Sequence, residues 1–191
     1  MINESESIQV KSNTRVVGTK KWRRFIIFAC KVIVIHTVTY FIVGATAYNL
    51  LTKEYYTGPD PVFGAFMRTP DDPESWSHVM RWFIPAQILR GVLMAIVLYP
   101  LFDKLLEWDF KKRFLIISGL YIVLGYWAAT VAAPGTIEGM VYMKPIITPY
   151  MHLIVQPEIV AQGLALGAWL AWWMPPRTLR KMAQSNTLTR G

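Results

Sequence analysis

Twenty consecutive residues without a single charge, FLIISGLYIVLGYWAATVAA at 114–133, constrain this chain more than any motif in it. At ~1.5 Å per residue, a helix of that length matches the ~30 Å hydrocarbon core of a bilayer. Three further apolar segments, Phe25–Tyr48, Trp82–Leu106 and Ile154–Met174, have comparable reach. Backbone groups find no partner in lipid, so such segments are expected as helices that bond internally. The expectation is an all-α polytopic integral membrane protein, a bundle of four transmembrane helices. With 53% hydrophobic residues, the 191-residue chain is also more apolar than ordinary soluble domains. Four spans use about half of it, leaving too little for a separate soluble core. The reading is one membrane domain at 20–176, a flexible polar cytoplasmic tail at 1–19 and a basic cytoplasmic tail at 177–191.

The formal net charge of +8 raises the question of nucleic acid, and the placement of the basic residues answers it. Lys11, Arg15, Lys20, Lys21, Arg23 and Arg24 precede the first segment, and Lys104, Lys111, Lys112 and Arg113 join the second to the third. Arg177, Arg180, Lys181 and Arg190 follow the fourth. The 49–81 link instead carries five acids (Glu54, Asp60, Asp71, Asp72 and Glu74) against three basic residues, and 134–157 has only Lys144 and Glu138. Basic clusters on alternate links orient a membrane protein, here with both termini in the cytoplasm. The clusters also suit anionic headgroups. The lipid bilayer, and not nucleic acid, is therefore the expected partner, with the plasma membrane as the expected location. A second reading treats the first segment as a signal peptide cleaved after Ala45-Thr46-Ala47, which would leave three spans. The run is about twice a normal apolar signal core, and Lys31 interrupts it, so a retained span is favoured.

The single Cys30 lies in the first segment, so neither a disulfide framework nor a cysteine metal site is expected. In the first acidic link, Gly58-Pro59-Asp60-Pro61 and Thr69-Pro70-Asp71-Asp72-Pro73 are turn chemistry. Asp72-Pro73-Glu74 reads as a helix start, with Asp at the N-cap, Pro in the first position and an acid in the first turn. The second helix should therefore start near Pro73, outside the bilayer, with kinks at Pro85 and Pro100. The 134–157 link is apolar for a loop and contains Pro145, Pro149 and Pro157. It lies either in the headgroup region, anchored by Tyr142 and Tyr150, or dips back as a re-entrant segment that caps a cavity. The first is the favoured reading.

Small residues recur at four-residue steps: Gly163, Gly167 and Ala171 in the fourth segment, and Gly125, Ala129 and Ala133 in the third. Such stripes allow close backbone approach between helices where lipid removes the hydrophobic drive.

Polar side chains inside the apolar segments are the functional candidates, since each costs ~2.5–3.5 kcal/mol at mid-membrane when charged. Arg90 lies fourteen residues from Lys104, roughly 21 Å along a helix. Gln87, Arg90, Gly91, Met94 and Ala95 share one helical face. Glu158, in the first turn of the last helix with Gln162 one turn deeper, is the natural partner of Arg90. A fixed cation there would bind an anionic group or set the field of a solute path. His36, with Thr37 and Tyr40, forms a second polar set near mid-depth, most simply an internally hydrogen-bonded one. The interfacial aromatics, Tyr55, Tyr56 and Trp173 among them, read as anchoring belts.

Nucleophile-elbow, zinc-protease, phosphate-loop and dinucleotide signatures are missing from the sequence. Asp71, Asp72, Glu74 and His78 cluster, but coincide with the helix start, so no metal or other cofactor is expected. The leading expectation is a non-catalytic accessory or binding subunit of a membrane assembly, docking other membrane subunits or copies of itself. The alternative is a small transporter or channel-like oligomer that uses Arg90 for an anionic or polar small molecule. A third is a lipid-active membrane enzyme centred on His36 or on the Asp71–His78 region.

Overall fold

The computed structural model describes residues 4–59 and 61–174. All regular structure within them is helical. Helix α1 covers Glu4–Ala47 and continues through a π-helical turn, Tyr48–Thr52, into α2, Lys53–Tyr56. A 3-10 turn at Val62–Ala65 precedes α3, Pro73–Leu98. Another at Tyr99–Leu101 leads into α4, Phe102–Glu107. Helix α5, Phe110–Gly119, passes directly into a π-helical segment, Leu120–Trp127. The short helices α6, Ile137–Tyr142, and α7, Pro149–Ile154, precede α8, Gln156–Trp173.

Three helical stretches are long and apolar enough to cross a membrane: Lys21–Tyr56, Pro73–Glu107 and Pro149–Trp173. The segment at 114–133, expected as a single continuous helix, is shorter than that. Its helix ends at Trp127, and residues 128–133 are not helical. From Phe114 to Trp127 the helix measures only about 21 Å. Its last turns are π-helical, a geometry poorer than α and rarely sustained. The Tyr126 hydroxyl also donates to the Pro134 carbonyl, drawing the chain back toward the helix. At the other extreme, α1 continues through residues 4–19, the expected flexible tail. Once a helix is nucleated, each added residue gains a hydrogen bond, so propagation beyond the apolar run costs little. The basic tail 177–191 lies outside the described residues.

The helix boundaries follow local chemistry. Asp72 caps α3 by accepting from the Ser75 N–H at 3.2 Å, with Pro73 in the first position. The kink expected at Pro100 is the 3-10 turn, because a proline there cannot donate to the preceding turn. Asp109 caps α5 through the Lys112 N–H at 2.7 Å.

Helix α1 packs against α3 on one side and α8 on the other, and α8 packs against α5. The spatial order is thus α3–α1–α8–α5. Phe28, Val32 and Ile35 of α1, Ala95 and Leu98 of α3, Leu105 of α4, Ile117 of α5 and Leu166 and Leu170 of α8 form the shared core. Glycines set two of the crossings. A Cβ on Gly91 would lie 2.7 Å from the Ile33 Cα, and one on Gly167 would lie 2.1 Å from the Ser118 Oγ. In the Gly163–Gly167–Ala171 stripe, Gly163 faces the π segment and Gly167 faces α5: an added Cβ would lie 2.3 Å from Ile122 Cγ1 and 2.1 Å from Ser118 Oγ, respectively. Of the other stripe, Ala129 and Ala133 lie past the end of the helix, and a Cβ on Gly125 would meet the Leu120 carbonyl at 3.6 Å.

The two acidic-side links fold together at one end of the molecule. Phe63 is buried among Tyr55, Tyr56, Ile147, Met151, Met143 and Val155. Gly135 turns with φ +89°, and its peptide is held from both sides. Its N–H donates to His152 Nδ1 at 2.9 Å, and its carbonyl accepts from Gln156 Nε2 at 2.9 Å. Trp127 Nε1 donates to Gln156 Oε1 at 2.8 Å. The 134–157 link folds back over a cavity, with Ala133, Pro134, Met143 and Val155 in its lining. Its apolar composition serves the packing of that cap.

Candidate functional site

Beneath the cap lies a cavity of about 430 Å³. Its wall takes Tyr40 from α1, Tyr56 from α2, Arg90 from α3, Tyr121 and Tyr126 from the π segment, and Glu158 and Gln162 from α8. Phe63, Phe66 and Met67 close it from the first link, and Ala132, Ala133, Pro134 and Met143 from the second.

Alongside the cavity, buried polar groups bond to one another across helices. His36 is fully buried, and its Nε2–H donates to Gln87 Oε1 at 3.2 Å, joining α1 to α3. Its Nδ1 has no partner among the described residues. Gln162 Nε2 donates to the Thr39 hydroxyl at 3.1 Å, joining α8 to α1. The Thr39 hydroxyl donates to the Ile35 carbonyl at 2.8 Å. These buried bonds tie three helices, since an unpaired amide in hydrocarbon is costly.

Arg90 differs from them. Its guanidinium lies over the Tyr40 ring, 5.4 Å from the centroid, and its charge also acts on Tyr121 and His36. No carboxylate of the described residues comes within 4.0 Å of it; the ion pairs found are Arg24–Asp103 and Lys104–Glu107, both at the opposite end. Arg90 and Glu158 are brought to one cavity without pairing. The Glu158 side chain instead points toward α1, with its Oε1 3.6 Å from where a Cβ on Gly44 would stand. A cation and a carboxylate thus face a common space from opposite helices, lined between them by tyrosine hydroxyls. A ligand oxyanion can occupy such a space and gain charge-assisted hydrogen bonds from a guanidinium that makes no direct ion pair among the described residues.

The expected residues divide cleanly. Arg90, Glu158, Gln162 and Tyr40 line the cavity, while Gln87 and His36 bond to each other alongside it. Tyr121, Tyr126 and Tyr56 were missed. In a π-helix the i→i+5 bonding brings residues five apart close to one another on the surface, so Tyr121 and Tyr126 reach the same cavity. An α-helical count places them about 140° apart. Tyr56, read as an interfacial anchor, stacks edge-on against Phe63 at 4.9 Å and faces the cavity. The acidic cluster resolves into backbone bonding, with Asp71 accepting from the Gly58 N–H at 3.0 Å and Asp72 capping α3. Among the described residues, no group of three or more metal-ligating side chains comes together.

No family model, curated protein or solved structure matches this chain.

Proposed function

We propose that this chain is a non-catalytic integral membrane protein that binds an anionic or polar ligand at Arg90, as an accessory or binding subunit of a membrane assembly. The observation that carries the reading is the place of Arg90: it lines a 430 Å³ cavity beside the Tyr40 and Tyr121 hydroxyls, with no carboxylate of the described residues within ion-pair distance. A guanidinium held in low dielectric without a counter-ion is costly, and a bound anion removes that cost. A pocket that presents a guanidinium among tyrosine hydroxyls on a bonded framework suits binding of a ligand.

In this reading the chain crosses the plasma membrane four times as a helical bundle, with both termini cytoplasmic. The α5–π helix is shorter than the bilayer core, and the non-helical residues 128–133 complete its passage. Irregular backbone is tolerated at membrane depth where it lines a cavity, and Ala132–Pro134 do so. The basic residues at the Arg24–Lys104 end, against links at the capped end that are poor in Lys and Arg, support this orientation.

The test is anion binding to the protein reconstituted in phosphatidylcholine vesicles. Arg90→Gln should abolish binding while folding and expression persist, and Arg90→Lys should retain part of it. Undiminished binding in Arg90→Gln overturns the proposal.

A further inference from the structure

A second cavity adjoins the first, and its chemistry identifies the class of ligand. Helices α3 and α5 stand at the two ends of the α3–α1–α8–α5 order and do not pack closely on each other. Between them runs a cleft of about 400 Å³ whose lining is apolar, with Leu93, Val97, Ile117 and Leu124 among its walls. Its polar groups are Arg90 and Tyr121, and both also line the capped cavity. The cleft opens sideways: Leu93 is 54% exposed, Val97 66% and Leu124 64%. In the bilayer that side is acyl chains. Gly125 keeps the cleft wide, since a Cβ there would meet only the Leu120 carbonyl, at 3.6 Å.

We infer that the ligand is a single-chain amphiphile with a monoanionic carboxylate head, the head against Arg90 in the capped cavity and the chain in the cleft between α3 and the α5–π helix. This rests on the reading of Arg90 as an anion site and goes beyond it by fixing what the anion carries. At ~30 Å³ for a water-sized group, which is close to a methylene, the 400 Å³ cleft takes roughly a dozen carbons. That is the bulk of one acyl chain. The charge pattern favours a monoanion, because the Glu158 carboxylate across the same cavity opposes each added negative charge. Lipid tails are as apolar as the cleft, so the chain gains little from burial alone. Affinity therefore comes from the head and selection from the shape. The lateral opening lets such a molecule enter from the membrane without crossing the cap.

The experiment uses a diazirine-bearing hexadecanoate, photocrosslinked to the full-length protein in phosphatidylcholine vesicles. Label should fall on peptides from α3 and from residues 114–127. Unlabelled hexadecanoate should compete at least about tenfold better than hexadecanol, as expected for one charge-assisted head contact. Arg90→Gln should remove that difference. Leu93→Trp, which fills the cleft from its exposed rim, should abolish the labelling, whereas Leu89→Trp, on the same helix but outside the cleft, should leave it intact. If hexanoate binds as tightly as hexadecanoate and Leu93→Trp has no effect, the anion site stands and the amphiphile is wrong. If hexadecanol competes equally and Arg90→Gln changes nothing, the anion site falls too.

Discussion

Gln87 accepts a hydrogen bond from His36 at 3.2 Å across the α1–α3 interface, and both side chains are buried. The bond lies one turn from Arg90 on the same helix. A change in it should register as stability before it registers as binding.

Gln87→Leu should destabilise the protein by about 1–3 kcal/mol, because it strands His36 without a partner in an apolar layer. His36→Leu should have a comparable cost. The double variant should be milder than the sum, with a coupling of about 0.6–1.7 kcal/mol as found for intramembrane bonds. A thermal-denaturation cycle in detergent measures it, and strict additivity would show that the bond does not form.

Two glycines of the α5 region make a matched pair. A Cβ on Gly167 would strike Ser118 Oγ at 2.1 Å and the Ser118 backbone nitrogen at 3.0 Å, whereas one on Gly119 would meet nothing within 4 Å. Gly167→Ala should therefore cost about 1–3 kcal/mol by forcing α8 from α5. Gly119→Ala should be neutral or stabilising by up to about 1 kcal/mol through helix propensity. Ser118→Ala should rescue Gly167→Ala in part, since the backbone contacts remain. Equal effects of the two glycine substitutions in a denaturation series would contradict the α8–α5 crossing.

These contrasts also mark what could be read from the sequence. The α8 glycines and the Asp72 cap were legible because both depend on residues three or four apart in one helix. Arg90, Glu158, Gln162 and Tyr40 were legible as polar exceptions in apolar surroundings, and they do share a cavity. The Arg90–Glu158 pairing was not: side-chain direction across three helices is a tertiary property. The third segment misled because uniform apolarity reports solvent and not helix length. Its π geometry leaves no mark in hydropathy, so both the early end at Trp127 and the approach of Tyr121 to Tyr126 stayed hidden. The cap was ambiguous for a related reason, since apolar loop residues fit a headgroup layer and a packed lid equally well.

Gly135 is the hinge of that lid. It holds φ +89°, and an added Cβ would lie 2.7 Å from Val155 and 2.8 Å from Gln156. Gly135→Ala should thus combine backbone strain of about 1–3 kcal/mol with loss of the Gln156 contact. Hydrogen exchange should rise across 134–157 with α1, α3 and α8 protected as before. Unchanged exchange there would mean that the lid does not depend on this turn.

The two tyrosines of the π segment separate site from scaffold. The Tyr126 hydroxyl donates to the Pro134 carbonyl and so holds the lid, whereas the Tyr121 hydroxyl stands beside Arg90. Tyr126→Phe should lower stability by about 0.5–1.5 kcal/mol, the net worth of one hydrogen bond, and loosen the lid. Tyr121→Phe should leave the melting temperature unchanged and weaken anion binding by about two- to tenfold, the same energy expressed in a ligand contact. Measuring both variants by denaturation and by binding gives four values. If the hydroxyl of Tyr121 proves to matter for stability alone, Arg90 is held by an internal network and the cavity loses its claim to a ligand.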